Sequence, residues 1–237
     1  MSITIIFYTV LGFIITLIHH IYSHPILNFF QNLVILVYTL VHEFAHALFV
    51  FMTSGEMEAM ELHFEGSGFV IHEYEHPFAA ILCTFAGYSV PCLISLGFYV
   101  LLDMGYSSIV LILLAAIAVV SLLFIRNWYG FLWLSSFIGL LVLVYSNGST
   151  TFIEHTSMFL SSIVFAGSVY GGWRIFVASF KQPDDAGDAT CLAELTYVPA
   201  QIWGFIFLCI SLITFFLTLS YFHYGMNIGK FLLGFIE

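Results

Sequence analysis

Seven long runs of apolar residues, separated by short polar segments, make up most of the chain. A helix needs about 20 apolar residues to cross the hydrocarbon core of a bilayer, and most of these runs approach or exceed that length. The pattern predicts an all-α polytopic membrane protein with about six to seven transmembrane helices in a single domain, residues 1–237. The predicted spans lie near residues 3–18, 31–53, 77–102, 107–125, 130–146, 157–179 and 191–222.

Two of the connections between these spans are polar enough to predict their structure. Between the second and third spans, residues 56–75 alternate apolar and polar positions on both sides of a Gly-Ser-Gly turn, "EMEAMELHFEGSGFVIHEYE". This alternation predicts a short β-hairpin insert. Before the last span, "KQPDDAGDAT" at residues 181–190 combines Pro, Gly and three aspartates, which predicts a loop. We call this segment the aspartate loop.

Composition narrows the class of protein. Of the 237 residues, 61% are hydrophobic and only 8% are charged, so a soluble domain of this length could not bury its apolar surface. The lipid bilayer is therefore a predicted partner. The net charge of -10 comes with only four Lys and Arg residues, too few for a nucleic-acid-binding surface. Composition leaves the oligomeric state open.

The few basic residues predict an orientation. Arg126, Arg174 and Lys181 fall on one side of the membrane if the amino terminus is cytoplasmic and the spans number seven, with Lys230 as the exception. The hairpin and the aspartate loop are then both cytoplasmic. We expect a plasma membrane or a bacterial inner membrane, with an organelle membrane as the alternative.

The second span contains the clearest chemical signal. Within "LVILVYTLVHEFAHALFVFM", His42 and His46 are one helical turn apart, and Glu43 follows the first of them. This spacing lets both imidazoles hold one zinc ion, while the glutamate takes a proton from water at the metal. Composition predicts only about 0.02 chance matches to His-Glu-x-x-His in a chain like this one. The alternative is that neighbouring helices satisfy these polar groups.

A catalytic zinc ion usually takes a third protein ligand. Asp188 lies just before the last predicted span, and on the predicted topology the aspartate loop lies on the same side as the later half of the second span. Asp188 is therefore the predicted third ligand. The alternative role for Asp188 is the N-cap of the following helix. Glu194 is the reserve ligand, and Asp184 and Asp185 are either further candidates or solvated loop residues.

These motifs resemble the site-2 protease family of intramembrane zinc metalloproteases. The resemblance rests on HEFAH at residues 42–46 inside a span and on an Asp-Ala pair at residues 188–189 opening a late span. "FAGYSVP" at residues 85–91 looks like the Gly-rich segment of the family's following span, and "DATCLAELTYVPAQIWG" is similar to small bacterial-type and plant-type members. The chain departs from better-known branches because it lacks their Leu-Asp-Gly signature and has no room for a PDZ domain.

The resemblance implies a zinc metalloendopeptidase that cuts within or near the transmembrane segments of membrane-protein substrates. One zinc ion would be held by His42, His46 and Asp188, with Glu43 as general base. We expect the hairpin to pair with an unwound substrate as an added strand. Two other functions stay open. They are a zinc transporter and a pseudoprotease that binds membrane helices without cutting them.

Several other polar and small residues are predicted to have structural or solvent-exposed roles. Asn127 is a candidate for stabilising an oxyanion, but a loop position beside Arg126 is the favoured interpretation. The hairpin region's histidines could bind a second metal, but exposed histidines among acids are more often solvated; these are His63, His72 and His76. The small residues of the third span are predicted to allow close helix packing and are assigned no chemistry; these are Gly87, Ser89 and Gly97.

Overall fold

The computed structural model describes residues 3–21, 25–74 and 76–224, and the predicted exception Lys230 lies outside these ranges. Within them the chain forms eight α-helices and one two-stranded hairpin. The helices are α1 (Ile3–Ile21), α2 (Pro25–Met52), α3 (Pro77–Asp103), α4 (Ser107–Leu122), α5 (Trp128–Asn147), α6 (Thr150–Lys181), α7 (Asp188–Thr196) and α8 (Ala200–Tyr224). The strands are β1 (Glu56–Leu62) and β2 (Gly68–Glu73).

Five of the described helices are long and apolar enough to cross a membrane, namely those in α2, α3, α5, α6 and α8. Two shorter apolar helices, in α1 and α4, accompany them. The predicted fold class is confirmed, including the hairpin between the second and third spans. The helices of the first and fifth spans run a few residues beyond their predicted ends.

The predicted last span, residues 191–222, is wrong as a single helix, because the structure divides it between α7 and α8. Tyr197 ends α7 in the left-handed conformation with φ of 59°. Pro199 follows, and proline disfavours helical backbone at the residue before it and lacks an N–H of its own. The Thr196 side chain bridges the break by accepting hydrogen bonds from the Val198 amide at 3.3 Å and the Trp203 indole at 3.0 Å.

The hairpin turns back along α2 instead of projecting away from the helices. Its strands are antiparallel, with Met60 opposite Val70 and Leu62 opposite Gly68. The Thr39 hydroxyl of α2 donates a 2.7 Å hydrogen bond to the carbonyl of Gly66 at the hairpin tip. Because Thr39 lies near the middle of α2, the tip reaches the depth of the motif in the second span.

The turn between α4 and α5 covers the outer edge of β1. The Met60 amide donates to the Phe124 carbonyl at 2.9 Å, and the Met60 carbonyl accepts from the Arg126 amide at 3.0 Å. The Asn127 side chain donates to the Leu62 carbonyl at 2.6 Å and accepts from the Leu62 amide at 3.3 Å. Asn127 therefore anchors the hairpin, which agrees with its interpretation as a loop residue.

Small residues let the helices around α2 approach closely. Gly167 and Gly171 of α6 lie against the Tyr38 ring, and Gly172 lies against Ser211 of α8. Any side chain at Gly167 or Gly172 would overlap these neighbours, so α6 packs between α2 and α8 at short range. This packing holds α2, α3 and α6 around one polar region.

Candidate metal centre

Helix α2 places the three residues of the motif in the interior of the protein. His42 and His46 lie one turn apart, with ring centroids 4.8 Å from each other. Glu43 is 4% exposed and His46 is 7% exposed. The neighbouring positions Val41 and Ala45 are fully buried apolar residues that fix this part of the helix in the bundle.

Asp188 reaches the two histidines from the start of α7. Its Oδ2 atom lies 3.6 Å from Nε2 of His42 and 3.4 Å from Nε2 of His46, and the two Nε2 atoms are 3.2 Å apart. A tetrahedral zinc ion with ligands at about 2.0–2.1 Å separates neighbouring ligand atoms by roughly 3.3–3.4 Å. The three separations therefore match the edges of one face of such a site.

The side chain of Asp188 does not cap its helix. Gly187, with φ of 56°, occupies the N-cap position, and Asp188 is the first helical residue. Within the described residues, Oδ2 of Asp188 and Nδ1 of His42 are buried without a hydrogen-bond partner. Burial opposes the charge of Asp188, but the imidazoles of His46 and His42, when protonated, hold the pKa of its carboxyl below the ordinary value. An ionised carboxylate beside two imidazole nitrogens is a donor set suited to a divalent cation.

The alternative ligands lie apart from this group. Among the described residues, one group of three His, Cys, Asp or Glu side chains could hold a metal, and it consists of His42, His46 and Asp188. The reserve candidates are exposed at the surface; these are Asp184, Asp185 and Glu194. The hairpin histidines have other neighbours, since His63 lies 3.5 Å from Glu61 and His72 hydrogen-bonds the Tyr74 hydroxyl at 2.8 Å.

A backbone carbonyl of α3 orients one of the imidazoles. Nδ1 of His46 donates a 2.9 Å hydrogen bond to the Cys83 carbonyl, and the Cys83 thiol donates to the His46 carbonyl at 3.2 Å. A proton on Nδ1 leaves Nε2 of His46 with a free lone pair on the side of His42 and Asp188. Such outer partners fix the tautomer and direction of metal-binding histidines.

Gly87 of α3 lies directly against the candidate ligands. A Cβ atom at this position would overlap the His46 ring and would come within 2.7 Å of Oδ2 of Asp188. The prediction that Gly87 only allows close helix packing was therefore incomplete. The absence of its side chain makes room for the side chains of His46 and Asp188, whereas a Cβ atom at Gly97 would meet nothing within 4 Å.

A cavity of about 340 Å³ opens beside the motif. Glu43 lines it together with the hairpin tip, the end of the aspartate loop, Tyr38, Tyr88 and Arg174. Sequence reasoning missed these two tyrosines and used the arginine only for orientation. Tyr38 precedes His42 by one helical turn, so its spacing was an available signal. The position of Arg174 depends on the packing of α6, which the sequence does not reveal.

Comparisons with known proteins give one result. A family model described as Peptidase M50B-like matches residues 8–218, a range that contains the motif in α2, the hairpin and Asp188. No curated protein and no solved structure matches the chain significantly.

We expect the substitution Gly87→Ala to weaken metal binding about tenfold or more, because the added methyl group displaces His46 and Asp188. Titration of purified protein with zinc against a competing chelator measures the affinity. Gly97→Ala is the matched control in the same helix, since its methyl group meets no neighbour. Equal affinities for the two variants would contradict this account of the site.

Proposed function

The chain belongs to the Peptidase M50B-like family, the site-2 protease family of membrane metalloproteases, and on this basis we propose that it is an intramembrane zinc metalloprotease. The resemblance noted in the sequence is thereby confirmed at family level. Together with the five membrane-length helices, the family identifies an integral membrane protein. We propose that its substrates are membrane proteins, cut within or near their transmembrane segments.

The observation that carries this proposal is the convergence of three ligand atoms from two distant chain segments. On the proposed assignment, His42, His46 and Asp188 hold one zinc ion through Nε2, Nε2 and a carboxylate oxygen. When bound, zinc supplies Lewis acidity that polarises a peptide carbonyl and makes water more acidic. The Cys83 carbonyl keeps His46 in the tautomer that this role requires.

Glu43 is the proposed general base. It follows His42 directly and lines the cavity where a substrate would lie. Its Cγ and Oε1 atoms lie close to Gly68, where a Cβ atom would come within 2.9 Å of either. The carboxylate thus stands between the proposed metal site and the hairpin tip. From there it can accept a proton from water and pass it to the leaving amine.

The hairpin offers a backbone edge for an unwound substrate. Because Met60 and Leu62 direct their backbone groups toward the α4–α5 turn, their partners Val70 and Gly68 direct theirs to the opposite, outer edge of β2. Within the described residues nothing hydrogen-bonds this edge. The edge begins at Gly68, beside Glu43. A substrate strand added there would run past the proposed base.

We expect the loss of a ligand from either α2 or α7 to remove the metal. His46→Ala and Asp188→Ala should abolish bound zinc, because each leaves only two ligands, while Glu194→Ala, Asp184→Ala and Asp185→Ala should retain about one equivalent. Elemental analysis of the purified proteins gives the zinc content. Zinc retained in Asp188→Ala but lost in Glu194→Ala would reassign the third ligand.

We expect Glu43→Gln to keep its zinc but to lose cleavage of membrane-spanning peptides in liposomes by about 10²- to 10⁴-fold, because the amide cannot accept a proton. Glu61→Gln, in the hairpin, is the matched control. Product formation is followed by mass spectrometry. A pseudoprotease would give no product with any variant, and a transporter would move zinc into proteoliposomes without cutting the peptide.

We expect Val70→Pro to lower cleavage about fivefold or more, because it removes one outward N–H that a substrate strand would use. The same change removes no hydrogen bond between β1 and β2, because the backbone N–H of Val70 points away from β1 at this register. Val70→Ala, which keeps the N–H but shortens the side chain, is the control. Unaltered cleavage by Val70→Pro with normal zinc content would argue against strand addition.

A further inference from the structure

Arg174 of α6 faces the cavity beside Glu43. It lies one helical turn after Gly171, where a Cβ atom would come within 2.5 Å of the Tyr38 hydroxyl and 3.3 Å of the Tyr88 ring. This face of α6 is therefore turned toward both tyrosines. Arg174 also borders a smaller cavity of about 40 Å³ that shares Tyr38 and Gly171 with the first one.

The guanidinium of Arg174 has no ionic partner in the described part of the chain. None of the ion pairs there includes it, although Glu43 and Asp185 line the same cavity. The other described basic residues differ in their surroundings. Arg126 donates to the carbonyls of Leu123 and Ile125 in its own turn, and Lys181, which is exposed as Arg174 is, does not line the cavity.

The acidic residues around the cavity can be accounted for without pairing any of them with Arg174, so its guanidinium is available to a ligand. On the proposed function, a divalent ion is neutralised by Asp188 and Glu43 together. Asp185 is exposed to solvent at the rim. Arg174 then remains as the only Lys or Arg among the described residues that line the cavity, and its charge is not needed to balance the metal group. Ionisable groups in membrane proteins usually mark a substrate path or a partner.

We propose that Arg174 binds a carboxylate of the substrate next to the scissile bond. This inference rests on the proposed function and adds a substrate class to it, namely peptides that carry an acidic group near the cut. A guanidinium presents a planar fork of donors that matches a carboxylate and binds it through two parallel hydrogen bonds. The carboxylate comes either from an internal Asp or Glu or from the free carboxyl end of a trimmed substrate.

Binding of short peptides to the zinc-loaded Glu43→Gln protein tests this proposal without requiring cleavage. The probes are one apolar pentapeptide with a free carboxyl terminus, the same peptide with an amide terminus, and amide-terminated versions carrying a central Asp or a central Asn. Isothermal titration calorimetry gives the affinities. At least one of the two carboxylate peptides should bind about ten- to hundredfold more tightly than its neutral counterpart.

The added substitution Arg174→Gln should remove this preference, whereas Arg174→Lys should keep part of it. Lys181→Gln removes one positive charge from the end of the same helix and should leave the preference unchanged. Zinc content and thermal unfolding check that each variant is folded. A preference within the free-terminus and amide-terminus pair identifies the carboxyl end as the source, and a preference within the Asp and Asn pair identifies an internal acidic residue.

Two results would overturn the proposal. One is equal binding of carboxylate and neutral peptides by the protein with Arg174 intact. The other is a preference that survives Arg174→Gln, which would assign the carboxylate to the metal. Because none of these measurements depends on turnover, a failure of this proposal is distinct from a failure of the proposed protease activity.

Discussion

Polar groups inside an apolar helix bundle must find partners, and this constraint shapes the structure around His42, His46 and Asp188. Each imidazole or carboxylate removed from water without compensation is costly. Here the compensation is mutual, since three ligand atoms lie within 3.2–3.6 Å of one another, and the Cys83 carbonyl accepts the remaining proton of His46. A divalent cation among them would bind the lone pairs that remain without a hydrogen-bond partner, which is why we propose the cluster as a metal site.

The same constraint explains the path of the backbone near the site. Unpaired strand edges are not tolerated in hydrocarbon, but they are acceptable where they border a polar cavity. The hairpin satisfies this rule on one side through the α4–α5 turn, which binds Met60 and Leu62. On the other side, nothing in the described part of the chain hydrogen-bonds the outward backbone of Gly68 and Val70. One element therefore has a fixed edge and a free edge.

The sequence predicted much of this site because local spacing determines it. His42, Glu43 and His46 share a helix, and the alternation of residues 56–75 specifies a hairpin, although residue 75 itself lies outside the described part. The choice of Asp188 depended on its place before a late span, and the structure brings it to the histidines. The break before Pro199 was missed because apolar residues continue through it. Tyr88 and Arg174 were missed because only helix packing turns them toward the cavity.

The position of α7 has a consequence for the biosynthesis of the protein. Asp188 follows six helices in chain order, and a separate helix of nine residues carries it. On the proposed assignment, a nascent chain that has inserted only its first six helices holds two of the three ligands. The ribosome must therefore release α7 before the zinc site can be complete. On the same proposed assignment, a partly synthesised chain cannot cut the other proteins being inserted beside it.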